Sequence, residues 1–155
     1  MSNENYKIAL EKSMALCSRG EKCIRDIEEK LKTWKLTGDN ENKTIIDELV
    51  QNSFIDEKRY ASSYTRDKYR FNKWGRIKIT KMLKARGIRQ KDIDYSMEMI
   101  DHDSYTRMIR EEMNNKRKSI KAKNLIDLKG KLFRFAASRG YETEYIYDYI
   151  NRLGT

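Results

Sequence analysis

Apolar residues recur at helical spacing along most of the chain, and the pattern itself repeats. In "ITKMLKARGIRQKDIDYSMEMI", residues 79–100, Ile79, Met82 and Leu83 fall on one side of a helix, while Lys78, Lys81 and Lys84 fall on the other. At a constant offset of 53 this segment matches "LFRFAASRGYETEYIYDYINRL", residues 132–153. Ile79 then meets Leu132, Met82 meets Phe135, Ile88 meets Tyr141, Ile93 meets Ile146 and Ile100 meets Leu153, and the pair Arg86-Gly87 meets Arg139-Gly140. Each copy reads as an amphipathic helix closed by a Gly able to take the left-handed conformation, a short turn with an apolar residue, and a second helix. A fainter copy lies upstream. Ile27, Leu31 and Leu36 match Ile79, Leu83 and Ile88 at an offset of 52, and Ile45 and Leu49 match Ile93 and Met97 at 48, so the loop "TGDNEN" carries about four extra residues.

A further helical stretch precedes each copy, at residues 5–18, 56–72 and 103–118. The pattern therefore predicts an all-α chain of three tandem three-helix, helix-turn-helix-like repeats, with bounds at 1–54, 55–102 and 103–155. The absence of Pro and the presence of only seven Gly agree with long uninterrupted helices. Asp56 suits the N-cap of the middle repeat, with Glu57 in the first turn facing the helix dipole. Tyr60, Tyr64 and Phe71 follow an i, i+4, i+11 course and are predicted to face the core; Trp74, in the turn "NKWGR", fits core and surface equally well.

Charge changes the picture. The chain carries 34 Lys or Arg against 24 Asp or Glu, and the excess is concentrated. Between residues 58 and 91 thirteen cations face only Asp67, a net of +12, and residues 114–134 add a net of +7. Self-repulsion makes such blocks costly, which points to a polyanionic partner. The candidate contacts are Arg59, Arg66, Arg70, Lys73, Arg76, Lys78, Lys81 and Lys84 from the first block, and Lys116, Lys118 and Lys121 from the second.

Enzymatic chemistry has no foothold in the residues. There is no Gly-rich phosphate loop, nucleophile elbow or zinc signature, and no enzyme activity or cofactor is expected. Cys17 and Cys23 are spaced unlike a metal or redox pair and are expected to be reduced, partly buried thiols; the single His102 is expected at the surface. With no membrane-length apolar run and no signal-peptide pattern in "MSNENYKIAL", a cytoplasmic location is expected.

The middle of the chain resembles the RecX family of bacterial recombinase regulators. The resemblance rests on "FIDEKRYASSYTRDK" followed by "GRIKITKMLKARGI", where Asp56, Glu57, Arg59, Tyr60, Ala61, Gly75, Ile79, Leu83, Gly87 and Ile88 occupy the motif positions. It extends more weakly over both flanking repeats, with Ala136 standing at the Leu83 counterpart. It implies an elongated, curved helical array, expected to be monomeric, that binds the RecA recombinase filament and the single-stranded DNA within it. Such proteins act in recombination and DNA repair by lowering the filament's ATP hydrolysis and strand exchange. The competing reading from the residues alone is an independent helix-turn-helix protein that binds DNA or RNA directly; a third is a scaffold for acidic proteins.

Overall fold

The computed structural model describes residues 3–154, and every regular element among them is helical. The helices run α1 (Asn3–Arg19), α2 (Ile24–Trp34), α3 (Asp39–Gln51), α4 (Glu57–Asn72), α5 (Arg76–Ala85), α6 (Gln90–Glu98), α7 (His102–Ser119), α8 (Leu125–Arg139) and α9 (Thr143–Ile150). They pack in consecutive trios.

Each trio closes over its own apolar cluster. Ile27, Leu31, Ile45 and Leu49 anchor the first, Ile79, Leu83, Ile88 and Ile93 the second, and Leu132, Ala136, Tyr141 and Ile146 the third. Ile27, Leu31 and Ile45, Ile79, Leu83 and Ile93, and Leu132, Ala136 and Ile146 are the positions that the offsets bring into register, and all are buried, whereas Leu36, the counterpart of Ile88 and Tyr141, is only partly buried. The small Ala136 is compensated nearby, because Tyr141 fills the place of Ile88 with a ring that is only 1% exposed. Gly87 and Gly140 both take positive φ, at 78° and 86°, and at the equivalent position of the first trio Lys35 takes φ 57°. At α4 the Asp56 carboxylate accepts from the Arg59 amide at 3.0 Å, the expected N-cap.

Two aromatic and aliphatic assignments are corrected. Phe71 is 76% exposed rather than buried, although it lies on the Tyr60 side of α4. The covered side of that helix rotates along its length, from Tyr60 in the middle cluster to Tyr69, half a turn round, whose ring lies 6.1 Å from Tyr105 of α7. Phe71 points past the last neighbour on its own side. Met82 is 38% exposed, because on α5 the direction shared by Ile79 and Leu83 defines the core and Met82 sits at its rim. Trp74 is half-buried, with Tyr64 edge-on at 6.4 Å and Lys68 and Lys78 over its ring. Of the tyrosines near the C-terminus, Tyr141 is buried and Tyr147 is 51% exposed.

Adjacent trios join by one rule: the turn between the first two helices of a trio sits on the turn between the last two helices of the next. At the first junction Arg25 donates to the Ala85 carbonyl, Arg86 pairs with Asp26 at 2.8 Å, and Cys23 is buried in the second cluster. At the second junction the Gly75 amide donates to the Arg139 carbonyl at 2.7 Å, the Ile77 amide to Gly140 at 3.1 Å, and the Tyr141 hydroxyl to Lys73 at 2.6 Å. The chain exposes 9850 Å², against about 8,200 Å² for a close-packed globule of its 18.6 kDa, as a row of small clusters should.

Candidate functional site

The cations selected from the sequence divide into those that hold the trios together and those left facing solvent. Arg59 pairs with Glu21 at 2.7 Å and donates to the Ser53 carbonyl, tying α4 to the turn after α1. Arg76 pairs with Glu142 at 2.9 Å and lies 4.0 Å over the Tyr105 ring. The Tyr105 hydroxyl accepts from the Arg76 amide at 2.9 Å and donates to Glu142. Burial, with the Glu142 bond second, pushes the Tyr105 phenol well above its usual range, so it stays a donor. Lys78 is half-buried with its ammonium 4.4 Å over Trp74. Arg59, though exposed, and the half-buried Arg76 and Lys78 are therefore engaged in contacts within the chain.

A groove between α4 and α7 collects others. Arg70 of α4 and Lys73 in the turn after it line one stretch with Arg107 of α7, and Arg66 and Arg70 line the next, with Tyr69 and Ser104 common to both. Two adjoining hollows of about 330 and 310 Å³ share Tyr69, Arg70 and Ser104. Arg66 meets Asp67 at 3.6 Å and the Ser63 hydroxyl at 3.5 Å, both exposed contacts worth little in water. Asp101, Glu111 and Glu112 also border the groove, and Glu112 is held by Arg139 at 3.1 Å.

On the outer side of α5, Lys81 and Lys84 are exposed beside Ile77 and Thr80 in a cleft of about 460 Å³. Neither lysine makes an ion pair among the described residues. Lys116 and Lys118 extend the positive surface from the last turn of α7, where they also complement the helix dipole, and Lys121 follows in the turn. Lys116 lies 5.3 Å over Phe135.

Arg107 was absent from the sequence reading because it lies outside both charge blocks. A signal did exist: Ser-Tyr-Thr-Arg occurs at 63–66 and again at 104–107, placing Arg66 and Arg107 in the same local setting on the two helices that face each other. No cluster of His, Cys, Asp and Glu suited to a metal exists among the described residues, and no helix there is long and apolar enough to cross a membrane. Cys17 and Cys23 are free thiols, and burial pushes Cys23 up to about 11.

Comparison with known proteins gives this arrangement a family. Residues 56–97 match the model described as RecX, second three-helix domain. The regulatory protein RecX of Clostridium tetani (strain Massachusetts / E88) is 31% identical over 97% of this chain and 69% of its own length. That of Clostridium botulinum (strain Alaska E43 / Type E3) is 28% identical over 97% of this chain and 74% of its own. The fold is shared with a crystal structure of regulatory protein RecX, at TM-score 0.85 and 20% identity, covering 95% of this chain and 73% of that one. It is shared also with RecX from Lactobacillus salivarius, at TM-score 0.78 and 17% identity, with 98% of both chains covered. The motif-bearing middle trio and the near full-length relatives agree, and the chain belongs to the RecX family.

Proposed function

We propose that this protein regulates homologous recombination and DNA repair by binding the RecA nucleoprotein filament, and that binding lowers the filament's ATPase and strand exchange. The observation that carries this reading is the division of the cations. With Arg59 and Arg76 held in ion pairs, Arg66 and Arg70 on α4, Arg107 on α7 and Lys81 and Lys84 on α5 remain directed at solvent, and Lys73, half-buried in the turn after α4, borders the same groove. They are spread over two helix trios, along an array rather than in one pocket, which suits a long, periodic, acidic surface. The repeats at 1–54, 55–102 and 103–155 would each present a helix pair to such a surface, with Lys116, Lys118 and Lys121 extending the contact. The setting is the cytoplasm, the protein works without chemistry of its own, and it binds as a monomer.

The test compares binding to bare single-stranded DNA, to duplex and to recombinase-coated DNA across a salt series. A composite site requires tighter binding once recombinase and ATP are present, whereas phosphate contacts alone give a steep salt slope indifferent to recombinase. Equal affinity for coated and bare DNA would support the independent DNA reader instead.

A further inference from the structure

The outer surface of α8 differs in kind from its counterparts. Ile126, Gly130, Phe133 and Ala137 follow one another at i, i+4, i+7 and i+11, a single line along the helix. Ile126 is 82% exposed, and Tyr147 of α9, 51% exposed, stacks beside Phe133 at 5.4 Å. This line runs beside the core side of α8, which buries Leu132 and Ala136, and touches the third cluster at the half-buried Phe133. At the repeat offset of 53 the last three places fall on α5 as Ile77, Thr80 and Lys84, with Lys73 in the turn before it at the first, and at a further 52 the first trio has Arg25, Glu28 and Lys32 at the last three places. One face of the repeat is thus largely polar or basic in the first two trios and continuously apolar in the third. Fold maintenance does not account for the change, since an Ile this exposed contributes little to packing.

The spacing is that of a heptad seam, and the flanks are charged with one dominant sign. Of the four positions beside the seam, Lys129 and the exposed Arg134 are basic, Asp127 is paired with Lys131 at 3.2 Å, and Ala136 is turned into the core. Gly130 puts no side chain between Ile126 and Phe133, and only the mobile Arg134 guanidinium, 3.5 Å from where its Cβ would be, would move aside for a side chain from a second helix. We infer that the outer face of α8 is a docking surface for an amphipathic helix whose apolar row is flanked by acidic side chains. Exposed aliphatic carbon has no complement on a phosphate backbone, so a protein helix, rather than nucleic acid, is the partner class. The inference concerns this face alone and stands apart from the identity of the recombinase as partner.

A synthetic peptide of three heptads, with Leu at both seam positions and Glu at both flanking positions, provides the probe; mutual repulsion of its acidic flanks disfavours self-pairing. Its binding to the full chain is measured by fluorescence anisotropy and mapped by amide chemical shifts, beside a twin peptide carrying Lys flanks and a single-stranded oligonucleotide. The acidic peptide should bind and shift α8 and α9 amides, and Ile126→Ser or Arg134→Glu should each weaken it about tenfold. Lys81→Glu with Lys84→Glu, on α5, should leave its binding to α8 unchanged. Equal binding by the Lys-flanked twin, no binding by either, insensitivity to Ile126→Ser, or displacement of the peptide from α8 by the oligonucleotide would each overturn the inference. Because Ile126 is exposed, its substitution leaves the core intact, and an unchanged thermal midpoint verifies this.

Discussion

Gly75 shows how much of the second junction depends on one missing methyl group. Its φ of −85° is open to any residue, so only space requires Gly there: an added Cβ would lie 2.3 Å from the Gly140 carbonyl oxygen. Gly75→Ala should therefore cost about 2–4 kcal/mol, read from the denaturant midpoint, because the clash is with backbone and cannot be relieved by a rotamer. Gly130→Ala is the contrasting case. The nearest atom to its new Cβ is the mobile Arg134 guanidinium at 3.5 Å, and the mid-helix position should gain roughly 0.5–1 kcal/mol. Tyr141 supplies a pH test of the same junction. Burial raises its phenol to about 12 in the folded chain, against an ordinary value of 10. The unfolded chain thus releases this proton first as pH rises, so the stabilisation is complete below pH 10 and is lost as pH climbs through about 12. Tyr141→Phe should lower neutral-pH stability by about 1 kcal/mol through the lost bond to Lys73, yet flatten the alkaline decline measured by urea unfolding at successive pH values.

At the scale of the element, α5 carries two separable duties. Ile79 and Leu83 are fully buried four residues apart, while Lys81 and Lys84 point outward. Leu83→Ala should destabilise by about 2–5 kcal/mol, and Lys81→Glu with Lys84→Glu should leave the thermal midpoint nearly unchanged while weakening binding to recombinase-coated DNA. Lys78 is left out of the charge reversal because a Cβ at Gly140 would already sit 2.3 Å from its own, which marks it as part of the junction. This division shows how far local pattern reaches. Helical spacing and the recurrent Arg-Gly corner revealed α5, α6, α8 and α9 and their core residues, because those features are set within a turn or two of chain. Phe71 and Met82 were misplaced because spacing gives a direction, not where the neighbouring helix ends. The partners of Arg59, Arg76 and Arg139 lie 38, 66 and 27 residues away in sequence, so no charge count along the chain could separate bound cations from solvent-facing ones.

For the whole molecule, the two junctions follow one geometry but differ in what holds them. The first depends mostly on side chains, Arg86 with Asp26 and Arg59 with Glu21, and the second on backbone amides and carbonyls brought together at Gly75 and Gly140. The groove that gathers Arg66, Arg70, Lys73 and Arg107 lies between the middle and third trios, so the second junction fixes its width. In the proposed function these outward cations bring the array to a recombinase filament and slow it. The most direct measurement is the recombinase's ATP turnover on single-stranded DNA as this protein is titrated in, alongside a variant with Arg66→Glu, Arg70→Glu and Arg107→Glu. Turnover should fall at substoichiometric amounts of the native chain, and the variant, though equally stable to heat, should require far more protein for the same effect. Turnover that stays flat to molar excess of the native chain, or that falls equally with the variant, would contradict it.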